Sequence, residues 1–190
     1  MSLDLLRAVH GPTGVRAFVR KQVLRSYARV VEWTTLLPGR KLNLDRVEDW
    51  LFVGGAVRSA DYGRLRALGI TAVVDLREER QDDANALRAL GIDYLNLPAP
   101  DHYAPEQSQL LEGVAWMRAR LAEGGKLYIH CQHGVGRAPL QALCLMVAMG
   151  QTPDQAYRKL REARWQATLN DRQLNALAEF QPQRAAADAR

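Results

Sequence analysis

Residues 127–140 have the sequence Leu-Tyr-Ile-His-Cys-Gln-His-Gly-Val-Gly-Arg-Ala-Pro-Leu, and this stretch decides the fold of the chain. Its first three residues are apolar or aromatic and follow a pair of glycines, which predicts a short buried strand. An apolar run starts at Pro139, and proline in the first turn is typical of a helix start. A strand, a glycine-bearing loop and a helix N-terminus direct backbone N–H groups and the helix dipole at one point, where they attract an anion such as phosphate.

The loop in this stretch has the residues that phosphoryl transfer needs. Cys131 and Arg137 enclose a five-residue loop of Gln132, His133, Gly134, Val135 and Gly136. A thiol at a helix N-terminus beside an arginine is easily deprotonated, and the thiolate is a nucleophile. The planar guanidinium binds two phosphoryl oxygens, and the glycines let the backbone turn inward. We therefore predict that Cys131 is the nucleophile and that residues 132–137 bind phosphate. The alternatives are a buried structural cysteine, which is our interpretation of Cys144, and a rhodanese-type sulfur-carrier loop.

The pattern His-Cys, five residues, Arg resembles the signature of the cysteine-dependent protein tyrosine and dual-specificity phosphatase superfamily. The segments 49–55 and 68–79 are similar to the opening of dual-specificity phosphatases in the branch of the mitochondrial phosphatidylglycerophosphate phosphatase. The resemblance extends from about residue 44 to 180. It implies a phosphocysteine mechanism that uses no metal or other cofactor.

A second catalytic residue is expected on the loop 98–106, which contains three prolines. The departing oxygen needs a proton, and a positioned carboxylic acid supplies it. The superfamily places an aspartate on a loop of this kind, so the resemblance assigns the acid to Asp101. Asp75 and Asp93 are weaker candidates because each adjoins a predicted strand.

Strands and helices alternate along the rest of the catalytic region. The predicted strands are 50–53, 70–76, 94–97 and 127–129, and the predicted helices lie between and after them. This alternation predicts an α/β domain, dual-specificity phosphatase-like, with a largely parallel central sheet flanked by helices.

Residues 14–34 predict an extra N-terminal amphipathic helix. Its apolar residues recur at helical spacing, and its basic residues fall largely on the other side: Arg16, Arg20, Lys21, Arg25 and Arg29. Such a helix packs on the domain or lies on an anionic membrane surface, and we favour packing. An Arg-rich mitochondrial presequence is a third, less favoured interpretation. The break at residues 36–39 divides the chain into a helix and linker (1–38), a catalytic domain (39–182) and a frayed tail (183–190).

The composition limits the classes of protein to consider. The chain has 190 residues, a net charge of +5 and two cysteines. This favours one domain with an appendage in a reducing compartment, without a disulfide framework or a zinc site. We expect a cytoplasmic protein with peripheral membrane contact as an option. Nucleic-acid binding is not expected, because basic residues lack interleaved aromatic residues outside one helix.

The chain departs from the superfamily pattern at three places. Ala138 follows the signature arginine where a serine or threonine is usual, and its effect should be slower hydrolysis of the phosphocysteine. Gln132 and His133 stand where lipid-directed relatives often have lysine or arginine, and Asn170-Asp171 precede Gln173 in place of an arginine and a proline.

These observations predict a phosphomonoester hydrolase. Its substrate is a phosphoprotein with phosphotyrosine, phosphoserine or phosphothreonine, or a phospholipid such as phosphatidylglycerophosphate. The alternative is a pseudophosphatase that binds phosphorylated partners without turnover, for which Ala138 is the reason. A sulfurtransferase is a more distant alternative.

Overall fold

A computed structural model describes residues 22–23, 26–27, 30 and 41–181. The described residues before position 31 are helical. The basic residues of the predicted N-terminal helix, the linker at 36–39 and the tail at 183–190 lie outside the described residues. The proposed division of the chain at residues 38 and 182 therefore stays a prediction.

Strands and helices alternate through the described catalytic region, as the hydrophobic pattern predicts. The strands are β1 (Leu44–Glu48), β2 (Leu51–Gly55), β3 (Ala72–Arg77), β4 (Asp93–Ala99) and β5 (Leu127–Cys131). The α-helices are α1 (Tyr62–Ala67), α2 (Ala84–Ala89), α3 (Gln107–Ala122), α4 (Arg137–Ala148), α5 (Pro153–Ala163) and α6 (Asp171–Glu179). A short 3-10 helix, Ser59–Asp61, precedes α1.

The five strands form one sheet in the order β1-β2-β5-β3-β4. β1 pairs with β2 in antiparallel fashion, and the other three pairings are parallel. The predicted α/β fold with a largely parallel sheet is thus confirmed. β5 lies in the centre, where Gly55 of β2 pairs with Cys131 and Asp75 of β3 pairs with His130. The carboxyl ends of these three strands therefore meet at one edge of the sheet.

Both faces of the sheet are covered, which explains why the central strand is buried throughout and begins with three large apolar or aromatic residues. Leu127 and Ile129 belong to a core cluster that includes residues of α3 to α6. Tyr128 points to the other face and packs with Leu65 of α1 and Leu87 of α2. A strand buried on both faces is expected in a parallel sheet. Within the described residues, no helix is long and apolar enough to cross a membrane.

The starts of three helices can be compared with their local sequence signals. The signature helix α4 begins at Arg137, so Pro139 lies in its first turn, as predicted, and removes no helical hydrogen bond. Residues 59–61 form a 3-10 turn, and neither this turn nor α1 after it has a side-chain cap. Thr152 caps α5, with Pro153 at the first helical position.

Candidate active site

The signature cysteine lies at the carboxyl end of β5, beneath the loop that leads into α4. Cys131 is 4% exposed, and its Sγ accepts a hydrogen bond of 3.3 Å from the N–H of Gly134. Gly134 has φ +70°, and a Cβ there would lie 2.3 Å from the backbone of Gly54. A side chain at this position would both strain the backbone and displace β2, so the loop requires glycine.

The carbonyl groups of the loop are held outward by donors from other parts of the chain. The carbonyl of Gln132 accepts from the N–H of Ala56 at 3.1 Å, and that of Val135 accepts from the N–H of Thr168 at 2.8 Å. In a trans peptide the carbonyl and the following N–H point in opposite directions. The outward carbonyls therefore direct the following N–H groups to the inside of the loop, where an anion would bind.

Arg164, just after α5, holds the carbonyls of the two loop residues between Gln132 and Val135. Its Nε donates to the carbonyl of Gly134 at 2.7 Å, and one terminal nitrogen donates to that of His133 at 2.8 Å. The same nitrogen donates to Asn43 Oδ1 at 3.0 Å, and the other pairs with Asp45 at 2.7 Å. The Arg164 side chain is fully buried. The Arg164 charge is thus balanced by Asp45, and its remaining donors hold the carbonyls of the loop in place.

Arg137, the signature arginine, is 1% exposed and lies at the start of α4. Its terminal nitrogens donate to both oxygens of Glu79 at 2.8 Å, and one also donates to the carbonyl of Ala99 at 2.8 Å. The second terminal nitrogen lies 3.0 Å from Asp101 Oδ1. The Nε donor is buried and has no hydrogen-bond partner among the described residues. A buried donor without a partner is unfavourable, and a phosphoryl oxygen would satisfy it.

Glu79 was not predicted as a site residue. It follows β3 in a run of charged residues, and it reaches the site because β3 pairs directly with β5. The hydrogen bonds from Arg137 lower the pKa of Glu79 to about 2, more than its partial burial raises it. The carboxylate is therefore ionised at neutral pH and holds the guanidinium in place from the side.

The structure places Asp101 against the same guanidinium, and its role as proton donor stays a prediction. Its side chain is 57% exposed and contacts Arg137 on one side and His102 on the other. The competing candidates lie elsewhere. Asp75 is fully buried and paired with an arginine, whereas Asp93 pairs with Arg120 near the start of β4.

Behind the nucleophile lies a buried cluster of four charged or ionisable side chains. Nε2 of His130 is 3.0 Å from Asp82, and Arg77 donates to Asp75 at 2.9 Å and to Asp82 at 2.6 Å. Burial acts to raise the pKa of Asp82, whereas the hydrogen bonds and charges of His130 and Arg77 act to lower it. The lowering is the larger effect, so the pKa of Asp82 lies below its usual value. The spacing of His130 and the two aspartates would suit a metal ion. The Arg77 guanidinium already contacts both carboxylates, so the cluster fits a structural role.

Two further residues of the signature helix are buried. Cys144 is fully buried, and burial raises the pKa of its thiol, which fits its predicted place in the core. Ala138 is also fully buried, directly after the signature arginine. The sulfur of Cys131 therefore receives its hydrogen bond from the N–H of Gly134 and none from a side chain at position 138.

The fold and this site define the class of protein. A family model described as "Tc-R-P: Polymorphic toxin system, DSP-PTPase phosphatase" matches residues 53–151, just over half of the chain. The chain belongs to this family of dual-specificity and protein tyrosine phosphatases.

Individual relatives agree with this assignment. The phosphatidylglycerophosphate phosphatase PTPMT1 of Arabidopsis thaliana is 27% identical over 140 residues, which are 72% of this chain and 42% of that protein. The dual specificity protein phosphatase 12 of Mus musculus is 32% identical over 130 residues, 66% of this chain and 37% of that protein. The chain thus spans well under half the length of these two relatives.

A solved structure shows the same fold. The crystal structure of PTPMT1 in complex with PI(5)P is similar with a TM-score of 0.70 at 20% identity, covering 78% of this chain and 99% of that one.

Proposed function

We propose that this chain hydrolyses phosphomonoesters through a phosphocysteine intermediate. The observation that carries the proposal is the convergence of three features on one point. The Cys131 sulfur lies beneath inward N–H groups, and the buried Nε of Arg137 has no hydrogen-bond partner in the part of the chain that the structure describes. The Asp101 carboxyl lies 3.0 Å from a terminal nitrogen of the same guanidinium.

The proposed reaction has two steps. The Cys131 thiolate attacks phosphorus, an S–P bond forms, and the P–O bond to the leaving group breaks while Asp101 gives its proton to the leaving oxygen. Asp101, now a carboxylate, takes a proton from water, which attacks phosphorus and releases the thiolate and phosphate. Arg137 and the loop N–H groups stabilise the equatorial oxygens in both steps, so the charge stabilisation requires no metal.

Two substrate classes are supported by different observations. The Arabidopsis PTPMT1 is named as a phosphatidylglycerophosphate phosphatase, and a solved PTPMT1 structure is a complex with PI(5)P; both support a phospholipid. The named dual specificity protein phosphatase supports a phosphoprotein. Half-buried Gln132 and His133 make the loop less cationic, which favours a substrate with a single phosphate over a polyanionic head group.

The N-terminal helix is proposed mainly as a packing element. Tyr27 donates to Asn43 at 3.0 Å, accepts from Gln166 at 2.8 Å and packs edge-on against Trp165. Contact of residues 14–34 with an anionic membrane is the second option, since each basic residue near such a surface contributes about 1 kcal/mol. Sedimentation with anionic and neutral vesicles tests it. Deletion of residues 1–38 should destabilise the domain if packing is the main role.

The activity test uses the purified full chain with p-nitrophenyl phosphate, phosphopeptides and phosphatidylglycerophosphate, with and without chelator. We expect turnover that the chelator leaves unchanged. Cys131→Ser should abolish turnover and retain binding of a phosphate analogue, and the matched variant Cys144→Ser should retain activity. Substantial turnover by Cys131→Ser, or a need for added metal, contradicts the mechanism.

A second candidate function rests on Ala138. Without a hydroxyl there, the leaving sulfur loses a donor that most relatives supply, which favours a pseudophosphatase that binds phosphorylated partners. Phosphate-analogue binding without turnover by the unaltered chain, and turnover gained by Ala138→Ser, would support this candidate.

A further inference from the structure

The helix α6 begins with two amide side chains that also contact the loop of Asp101. Asn170 Oδ1 accepts from the N–H of Gln173 at 3.1 Å, and Gln173 Oε1 accepts from the N–H of Asn170 at 3.2 Å. This reciprocal pair is a capping box and satisfies two backbone donors. It uses only the two oxygens, so both amide nitrogens remain available as donors.

Both nitrogens donate to carbonyls that directly follow Asp101 in the chain. Asn170 Nδ2 donates to the carbonyl of His102 at 2.7 Å, and Gln173 Nε2 donates to that of Tyr103 at 3.1 Å. The Arg172 guanidinium lies 4.3 Å from the centroid of the Tyr103 ring. The start of α6 therefore forms hydrogen bonds to two consecutive residues of the loop 98–106, called the acid loop below.

The backbone at His102, one of these two residues, has a conformation that is unfavourable for a residue other than glycine. His102 has φ +65° and, within the described residues, is the one non-glycine residue in the left-handed region. The imidazole is largely exposed, so packing of the His102 side chain does not hold this conformation. Two hydrogen bonds hold the turn: the N–H of Tyr103 donates to the carbonyl of Pro100 at 3.1 Å, and Asn170 donates to the carbonyl of His102 from outside the turn. The turn places Asp101 against Arg137.

Gln173 also touches the phosphate loop. It is 2% exposed, and a Cβ added at Gly136 would lie 2.8 Å and 2.9 Å from its amide nitrogen and oxygen. Since Gly136 has a negative φ, its small size matters here for this close approach. One side chain thus lies between the acid loop and the phosphate loop and fixes their separation.

We propose that Asn170 and Gln173 are positioning residues that hold Asp101 within reach of the departing oxygen. The inference rests on the proposed function, because it concerns the proton donor of that reaction. It also accounts for the departure of Asn170 from the residues of the lipid-directed relatives. Thr152 forms an equivalent capping box on α5, but its side chain has a single hydroxyl and no separate amide nitrogen that could reach a neighbouring loop while the oxygen caps the helix.

The test distinguishes two roles of the Asn170 side chain: its oxygen caps α6, and its nitrogen donates to the carbonyl of His102. Asn170→Ser keeps a capping oxygen and loses the donor to His102. We expect a loss of up to threefold in kcat/KM on p-nitrophenyl phosphate and about tenfold on phenyl phosphate, whose leaving group needs the proton more. Asn170→Asp, which also keeps an accepting oxygen and loses the donor, should change the ratio in the same direction. Thr152→Ala removes a cap away from the site and should leave the ratio unchanged.

A double variant shows whether the effect passes through Asp101. In the Asp101→Asn background, Asn170→Ser should produce no further change in the ratio of the two substrates. Equal losses on both substrates, or a changed ratio without Asp101, overturn the inference while the hydrolase proposal stands. If the unaltered chain turns over neither substrate, the proposed function fails first and the inference fails with it.

Discussion

Replacement of Arg164 by lysine should damage the phosphate loop without touching any residue that contacts the phosphate. Arg164 makes four contacts, to the carbonyls of His133 and Gly134 and to the side chains of Asn43 and Asp45. The single nitrogen of lysine preserves the positive charge but reproduces only part of this fork. We expect it to stay with Asp45, the opposite charge.

The expected loss of stability depends on which carbonyl groups lose their hydrogen-bond donor. The carbonyl of His133 keeps a weaker hydrogen bond of 3.3 Å from Asn43, whereas that of Gly134 loses its donor. A buried carbonyl without a partner costs about 1–3 kcal/mol, and a charged hydrogen bond contributes about 1.5–3 kcal/mol. We therefore expect Arg164→Lys to lower the free energy of unfolding by about 3 kcal/mol, a large part of the roughly 5–15 kcal/mol typical of a domain.

The same change should lower activity. A released carbonyl at Gly134 lets the next peptide rotate and turns one N–H away from the bound phosphate. Loss of one such donor typically costs about 10²–10³ in kcat. The assay is kcat/KM on p-nitrophenyl phosphate and vanadate affinity, with urea unfolding of the same preparation.

The matched control is Arg161→Lys in the last turn of α5, three residues before Arg164; the Arg161 guanidinium donates to the carbonyl of Ala167. The control should change vanadate affinity less than twofold. If Arg164→Lys loses about 3 kcal/mol of stability but keeps kcat/KM and vanadate affinity within threefold, Arg164 stabilises the domain and does not shape the loop.

Three further predictions concern the residues around the signature cysteine. Asp101→Asn should slow alkyl phosphates far more than p-nitrophenyl phosphate, whose leaving group hardly needs a proton; equal losses would show that Asp101 is structural. Ala138→Ser should shrink a rapid-mixing burst and raise the steady rate about ten- to a hundredfold if breakdown of the phosphocysteine is limiting. No burst and no gain would show that the N–H of Gly134 already serves the sulfur. Glu79→Gln should cost under about 1 kcal/mol at pH 7, because the carboxylate is 41% exposed and screened. Since folding lowers the pKa of Glu79 from 4.5 to about 2, this contribution is complete above pH 4.5 and fades as the pH falls toward 2. Urea unfolding of both proteins at pH 7 and pH 3 should therefore show a smaller difference at pH 3.

The phosphate loop could be predicted because its residues are consecutive in the sequence. Cys131 and Arg137 stand in one strand-loop-helix unit, and the order of residue types within it defines both the geometry and the chemistry. Asp101 is predicted as the proton donor from its place on a proline-rich loop and the family resemblance, and its carboxyl lies beside Arg137 in the structure.

The residues that were missed act across the sheet or across the chain. Glu79 reaches Arg137 because the strand order places β3 beside β5, which no local pattern shows. Arg164 lies in a segment without a clear period and meets the loop 30 residues away. Strand β1, Leu44–Glu48, was not predicted because three of its five residues are charged.

The position of Arg164 has a consequence for how the protein is made. Its guanidinium joins the phosphate loop to Asn43, 121 residues earlier in the chain. During synthesis, β2, β3, β5 and the signature cysteine all emerge before Arg164 and α6, at roughly 5–20 residues per second. A nascent chain that ends before residue 164 therefore contains Cys131 and Arg137 but lacks Arg164 and the N–H of Thr168, which hold the carbonyls of Gly134 and Val135 outward. The capacity to bind phosphate should arise only when synthesis of the domain is nearly complete, well after the nucleophile itself has been made.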